Sequence, residues 1–111
     1  MKKPIILAAA ALLIIYGTGC SAFWNGKMSE AAVREGGEAY RRSNYAAAAR
    51  HFTNGIALDP DNAKAYIGRG EAYARLGRNK EAAEDIRKFL KYAPYDKAAR
   101  KLLSDIGASN R

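Results

Sequence analysis

Residues 63–94 read AKAYIGRGEAYARLGRNKEAAEDIRKFLKYAP, two helix-length segments joined at Leu76-Gly77-Arg78 and closed by Pro94. Shifted by 34 residues, this stretch falls on its neighbours: Gly70 on Gly36, Ala82 on Ala48, Ile86 on Phe52 and Pro94 on Pro60. The register continues forward through Ala31, Ala65 and Ala99, and through Gly36, Gly70 and Ser104. A fixed period of this length marks a chain of stacked helix pairs, in which each pair hides one side against the next. The spacing therefore predicts an all-α fold.

Reading backwards, Asp59-Pro60-Asp61-Asn62 stops a second helix, Tyr45–Leu58, that buries Ala48, Phe52 and Ile56. Proline lacks the N–H that another turn needs and pushes the residue before it out of helical geometry. Ser43 and Asn44 form the preceding turn, with Asn44 suited to cap that helix. The first helix then runs from Ser29 to Arg42, with Ala31, Ala32, Glu35, Gly36 and Ala39 forming a narrow face. Gly36 and Gly37 each cost about 1 kcal/mol inside a helix, which close packing would offset.

Reading forwards, Asn62 caps a third helix, Ala63–Leu76, whose buried face holds Tyr66, Gly70 and Tyr73, and Gly77 ends it. The fourth helix, Asn79–Tyr92, turns Ala82, Ala83, Ile86, Phe89 and Leu90 inward. After Pro94, Asp96 caps a final helix through Ile106 with Leu102, Leu103 and Ile106 apolar, leaving 108–111 as a fraying tail.

The chain has 111 residues and carries 19 Lys and Arg against 11 Asp and Glu, a net charge of +8. Its front end stands apart. Lys2 and Lys3 precede the apolar run Ile5–Tyr16 and then Gly17-Thr18-Gly19-Cys20. That run falls short of the about 20 residues a spanning helix needs, which favours a cleaved signal over a retained anchor. Thr18-Gly19-Cys20 resembles the lipobox of bacterial lipoproteins, although Gly17 stands where that family usually has leucine. The resemblance implies signal peptide 1–19, lipidation of Cys20 as the first mature residue, and a tether over 20–28. Ser21, rather than aspartate, is compatible with passage to the outer membrane, facing the periplasm. Removal of Lys2 and Lys3 with the signal still leaves the chain basic. Export makes nucleic acid the least favoured basic-protein partner, behind anionic lipid and acidic protein surfaces. Cys20 is the only cysteine, so no intramolecular disulfide forms. Two arrangements suit Phe23 and Trp24: at the headgroup level beside the acyl anchor, or folded back over the open face of the first helix.

The internal pattern resembles the tetratricopeptide repeat, a 34-residue helix–turn–helix unit. Tyr66, Gly70, Tyr73, Leu76-Gly77, Ala82, Phe89 and Pro94 stand where that family wants them, as do Tyr45, Ala48, Phe52 and Pro60 in the earlier copy. Ala39 occupies the place of an expected tyrosine and Tyr40 follows it, which a turn one residue shorter would repair. The resemblance implies a short α-solenoid over 29–107: repeats at about 29–62 and 63–96, and a C-terminal capping helix at 97–106. Two repeats and a cap are fewer than the about three usually needed for stability. Help is then expected from Phe23 and Trp24, from self-association or from a partner.

Catalysis finds little support. His51 is the only histidine, and a lone helix histidine reads as structural. No zinc spacing, and no cofactor or other metal motif, is evident. Glu81, Glu84 and Asp85 lie three and four residues from Lys80, Arg87 and Lys88, as on a solvated, ion-paired face. Gly68-Arg69-Gly70 lacks the strand context of a nucleotide loop.

Binding is the better hypothesis. In the family that the pattern resembles, the first helix of each pair lines a concave groove for a peptide or helix segment of a protein partner. Carried over, the groove residues are Val33, Tyr40, Arg41, Lys64, Ile67, Glu71 and Arg75, with Gly37 and Ala74 beside them and Lys97, Arg100 and Lys101 extending the row. The family's peptide-carboxylate clamp needs lysine and asparagine that Val33, Gly37, Ile67 and Gly68 do not provide. The function expected is a non-catalytic adaptor in a cell-envelope complex. The alternative is a structural envelope protein whose basic surface binds anionic lipid or cell-wall polymer.

Overall fold

The computed structural model describes residues 3–109, with side chains described from Ser21 onward. The described residues form five helices: α1 (Lys3–Arg41), α2 (Tyr45–Leu58), α3 (Ala63–Arg75), α4 (Asn79–Tyr92) and α5 (Lys97–Ser109). Among the described residues there is no strand. The all-α solenoid expected from the 34-residue period is the fold observed. The lipidation expected at Cys20 and the side chains of the leader lie outside the described residues.

The turns repeat as faithfully as the sequence does. At the end of α1 the Ser43 N–H donates to the Tyr40 carbonyl and the Asn44 N–H to Ala39; one period later Gly77 donates to Ala74 and Arg78 to Tyr73. Ser43 and Gly77 both take positive φ, 60° and 77°. The first turn is therefore not one residue shorter. Ser43 adopts the left-handed conformation that glycine fills in the second copy, and Ala39 remains where tyrosine was expected.

Three other expectations change. α1 does not begin at Ser29, because no proline interrupts 21–28 and helix is continuous there; α5 likewise persists to Ser109. Ser29 is buried within α1, where its Oγ donates to the Gly55 carbonyl (2.7 Å). Asn62 does not cap α3 with its side chain, since its Nδ2 donates instead to Ser29 Oγ (2.9 Å). Asn44 and Asp96 do cap, accepting from the N–H groups of Ala47 (3.3 Å) and Ala99 (2.9 Å).

Two apolar centres hold the stack. Ala48, Ala49, Phe52 and Ala72 pack with Val33, Ala39 and Tyr40 between α1, α2 and α3. Ala82, Ala83, Ile86, Ala99 and Ile106 pack with Ile67, Leu102 and Leu103 between α3, α4 and α5. Tyr73 is half-buried and touches both.

Glycine makes the first centre possible. A Cβ on Gly36 would meet the Phe52 ring at 2.9 Å, and one on Gly68 would come closer still. Phe52 is thus seated between two helices that approach it without side chains. Gly37 is different, with open space around it, so close packing offsets its cost nowhere. Glu35 also leaves the expected packed face and turns outward to His51.

Candidate functional site

α1 and α3 lie side by side as the first helices of their pairs, and their shared face carries the candidate groove. At one end Val33 and Lys64, with Glu30, Arg34 and Asp59, line an open groove of about 620 Å³. Val33 is half-buried because it also packs toward α2. At the other end Arg75 Nε donates to Tyr40 Oη (3.1 Å). The Arg75 guanidinium lies 6.0 Å from the Tyr40 ring centroid and 5.8 Å from that of Tyr45. The two rings meet edge-on at 5.1 Å. Arg75 is exposed yet held, because a hydrogen bond and two aromatic rings restrict a side chain that would otherwise range freely.

Glu71 lies between these ends. Burial pushes its carboxyl above the ordinary carboxylate range; Arg75 opposes that rise and Asp96 adds to it. The groove is therefore of mixed charge, with an acid that burial disfavours in its middle and cations toward its rims. Ile67 contributes less than expected, since it packs against the second apolar centre. Arg41 is exposed at the end of α1. The structure thus brings together Val33 with Lys64, and Arg75 with Tyr40 and Glu71. It does not gather all seven residues around one cavity. Lys97, Arg100 and Lys101 are exposed on α5, where Lys101 pairs with Asp105 (3.0 Å).

The carboxylates of α4 do not form one solvated face. Asp85 is buried, 3 % exposed, and takes a two-pronged pair from Arg69 on α3, both bonds at 2.8 Å. Arg69 also donates to Thr53 Oγ1 on α2 (3.3 Å), so one guanidinium ties three helices. The bond to Asp85 raises the Arg69 pKa against the opposing effect of burial. The sequence signal was Arg69 itself, a long cation between two packing glycines. His51 pairs with Glu35 across α2 and α1 at 3.3 Å, a structural contact between partly exposed groups. Phe23 and Trp24 do not fold back over α1. Both are part of it, 62 % exposed near its middle, with ring centroids 6.1 Å apart.

A family model for the tetratricopeptide repeat matches residues 33–99. Hsp70-Hsp90 organizing protein 1 of Glycine max is 31% identical over 72 residues, which are 65% of this chain and 13% of that protein. Hsp70-Hsp90 organizing protein 3 of Arabidopsis thaliana is 40% identical over 60 residues, 54% of this chain and 11% of that protein. The chain thus matches only a small part of these relatives' length. A solved Arabidopsis OM64 TPR domain is 25% identical, with 77% of this chain and 98% of that domain covered at a TM-score of 0.44. With the family model spanning both helix pairs and reaching α5, the chain belongs to the tetratricopeptide repeat family.

Proposed function

We propose that the chain is a membrane-anchored, non-catalytic adaptor, lipidated at Cys20, whose α1–α3 face takes a peptide or helix segment of a protein partner. It serves assembly of a cell-envelope complex such as a secretion, pilus or outer-membrane machine, from the outer membrane facing the periplasm. The observation that carries the groove is the Tyr40–Arg75 contact (3.1 Å). It fixes a cation and an aromatic across two neighbouring helices, so little side-chain entropy is lost when a partner docks there. The names of the matched relatives describe organising Hsp70 and Hsp90, which supports a role in bringing proteins together without identifying a partner here. Support for the tether is the basic and apolar leader running into Thr18-Gly19-Cys20.

Cross-linking in intact envelopes, followed by co-purification, tests the groove. The Arg41→Glu, Arg75→Glu double variant is expected to lose at least one cross-linked protein while keeping its helical content. An identical set of partners would count against the α1–α3 face. Mass measurement of the amino-terminal peptide tests the tether, since an unacylated Cys20 ends that part of the reading.

A further inference from the structure

Among the described side chains of α1, Phe23, Trp24 and Met28 are the exposed large apolar ones, and none of them takes part in either apolar centre. Their placement follows from helical spacing. Lys27 follows Phe23 by four residues and Trp24 by three, so the three share one side of α1. Ser29, Ala32 and Gly36, the residues buried against the rest of the stack, recur on the other side. The aromatic face is therefore turned away from the repeats, and Met28 stands at its edge. Lys27 lies within it, its Nζ 5.9 Å from the Phe23 ring centroid.

From this arrangement we infer that the Phe23–Met28 face of α1 is a membrane-surface contact that docks onto anionic lipid. The aromatic rings and Met28 enter the boundary between headgroups and acyl chains, and Lys27 meets headgroup phosphate. The inference rests on the membrane-held reading above and adds to it a second point of attachment. Rings with an apolar body and a polar or cationic neighbour suit that boundary, and the chain stays basic once Lys2 and Lys3 leave with the signal, which favours an anionic surface. A second copy of the chain fits the patch less well. Symmetric pairing would bring two Lys27 ammonium groups together. The four described side chains also fall short of the roughly 800 Å² per partner of a stable protein interface. Because α1 continues without a break into the first repeat, a contact here fixes how the repeats stand relative to the bilayer.

Trp24 is the only tryptophan, so its fluorescence reports this face alone. The full chain is placed in phosphatidylcholine vesicles with and without phosphatidylglycerol, and Trp24 is quenched by iodide from water or by brominated acyl chains from the bilayer. The expected result is blue-shifted emission and several-fold weaker iodide quenching in anionic vesicles. Lys27→Glu should abolish the preference for phosphatidylglycerol, and Phe23→Ser should weaken the shielding. Iodide quenching unchanged by vesicles overturns the inference. So does shielding that appears without lipid and grows with protein concentration, which would assign the face to a second copy. Mass measurement of the amino terminus in the same native preparation separates the two readings: an unacylated native chain whose Trp24 is still shielded removes the lipid tether and keeps the surface contact. An acylated chain with Trp24 in water does the reverse.

Discussion

The two helix pairs place a polar contact at the same position and make very different things of it. One period apart, Glu35 with His51 and Arg69 with Asp85 each join the first helix of a pair to the second, the carboxylate standing on the first helix in one and on the second in the other. The Arg69–Asp85 pair is two-pronged and nearly buried, overlain by Thr53 from the preceding pair. The Glu35–His51 pair is single, with side chains 62 % and 38 % exposed. Position in the stack makes the difference. An inner pair is covered by its neighbour, whereas α1 is the first helix of the stack.

Packing shows the same contrast. Phe52 in the first pair needs Gly36 beneath it and Gly68 beside it. In the second pair the smaller Ile86 takes that place against Gly70, and Leu102 occupies the position one period after Gly68. One large ring with glycine and two medium side chains fill comparable space, as volume-conserving exchanges do in other cores.

The largest expected effect comes from breaking the buried pair. Asp85→Ala leaves Arg69 without its carboxylate and is expected to cost about 3 kcal/mol, whereas His51→Ala should cost under about 1 kcal/mol. Denaturant unfolding of both variants checks this; equal losses would remove the contrast between inner and outer pairs.

Next is the ring and its glycines. Gly68→Ala drives a methyl into Phe52 and should cost about 2 kcal/mol. Gly37→Ala, in open space within α1, should instead add about 0.5–1 kcal/mol through helix propensity. A loss at Gly37 would mean that the open space beside it is used.

The turns give a smaller difference of opposite sign. Gly77→Ala forces a side chain into the left-handed region and should cost about 1 kcal/mol, while Ser43→Gly relieves that strain and should stabilise by a similar or smaller amount. Thermal melts of the two variants read the comparison directly.

The smallest effect is pH-dependent and concerns Glu71. Its folded pKa is raised, so the folded state holds this proton more tightly than the unfolded chain does. Stability from this group is present below the ordinary glutamate range and is lost as pH rises through the folded value. Glu71→Gln should therefore raise the melting temperature slightly at neutral pH, and the gain should vanish in acid. A gain independent of pH would remove burial as its cause.

Sequence alone determined the helix pairs, their 34-residue register, and the inward turn of Phe52, Tyr66, Ala82 and Ile86. Period, proline and capping residues act locally and are written in consecutive positions. The candidate groove was legible only as a row of residues, because the family pattern says which helices face it but not which side chains meet. That Tyr40 restrains Arg75, that Asp85 is buried by Arg69, that Ser29 bonds Gly55 and draws Asn62 away from its cap, and that Phe23 and Trp24 stand free of the repeats were decided by tertiary structure. Each depends on groups brought together from different helices, or on which face of a helix the stack leaves uncovered. Burial of a charge or a ring is a property of that assembled neighbourhood, and no stretch of chain carries it by itself.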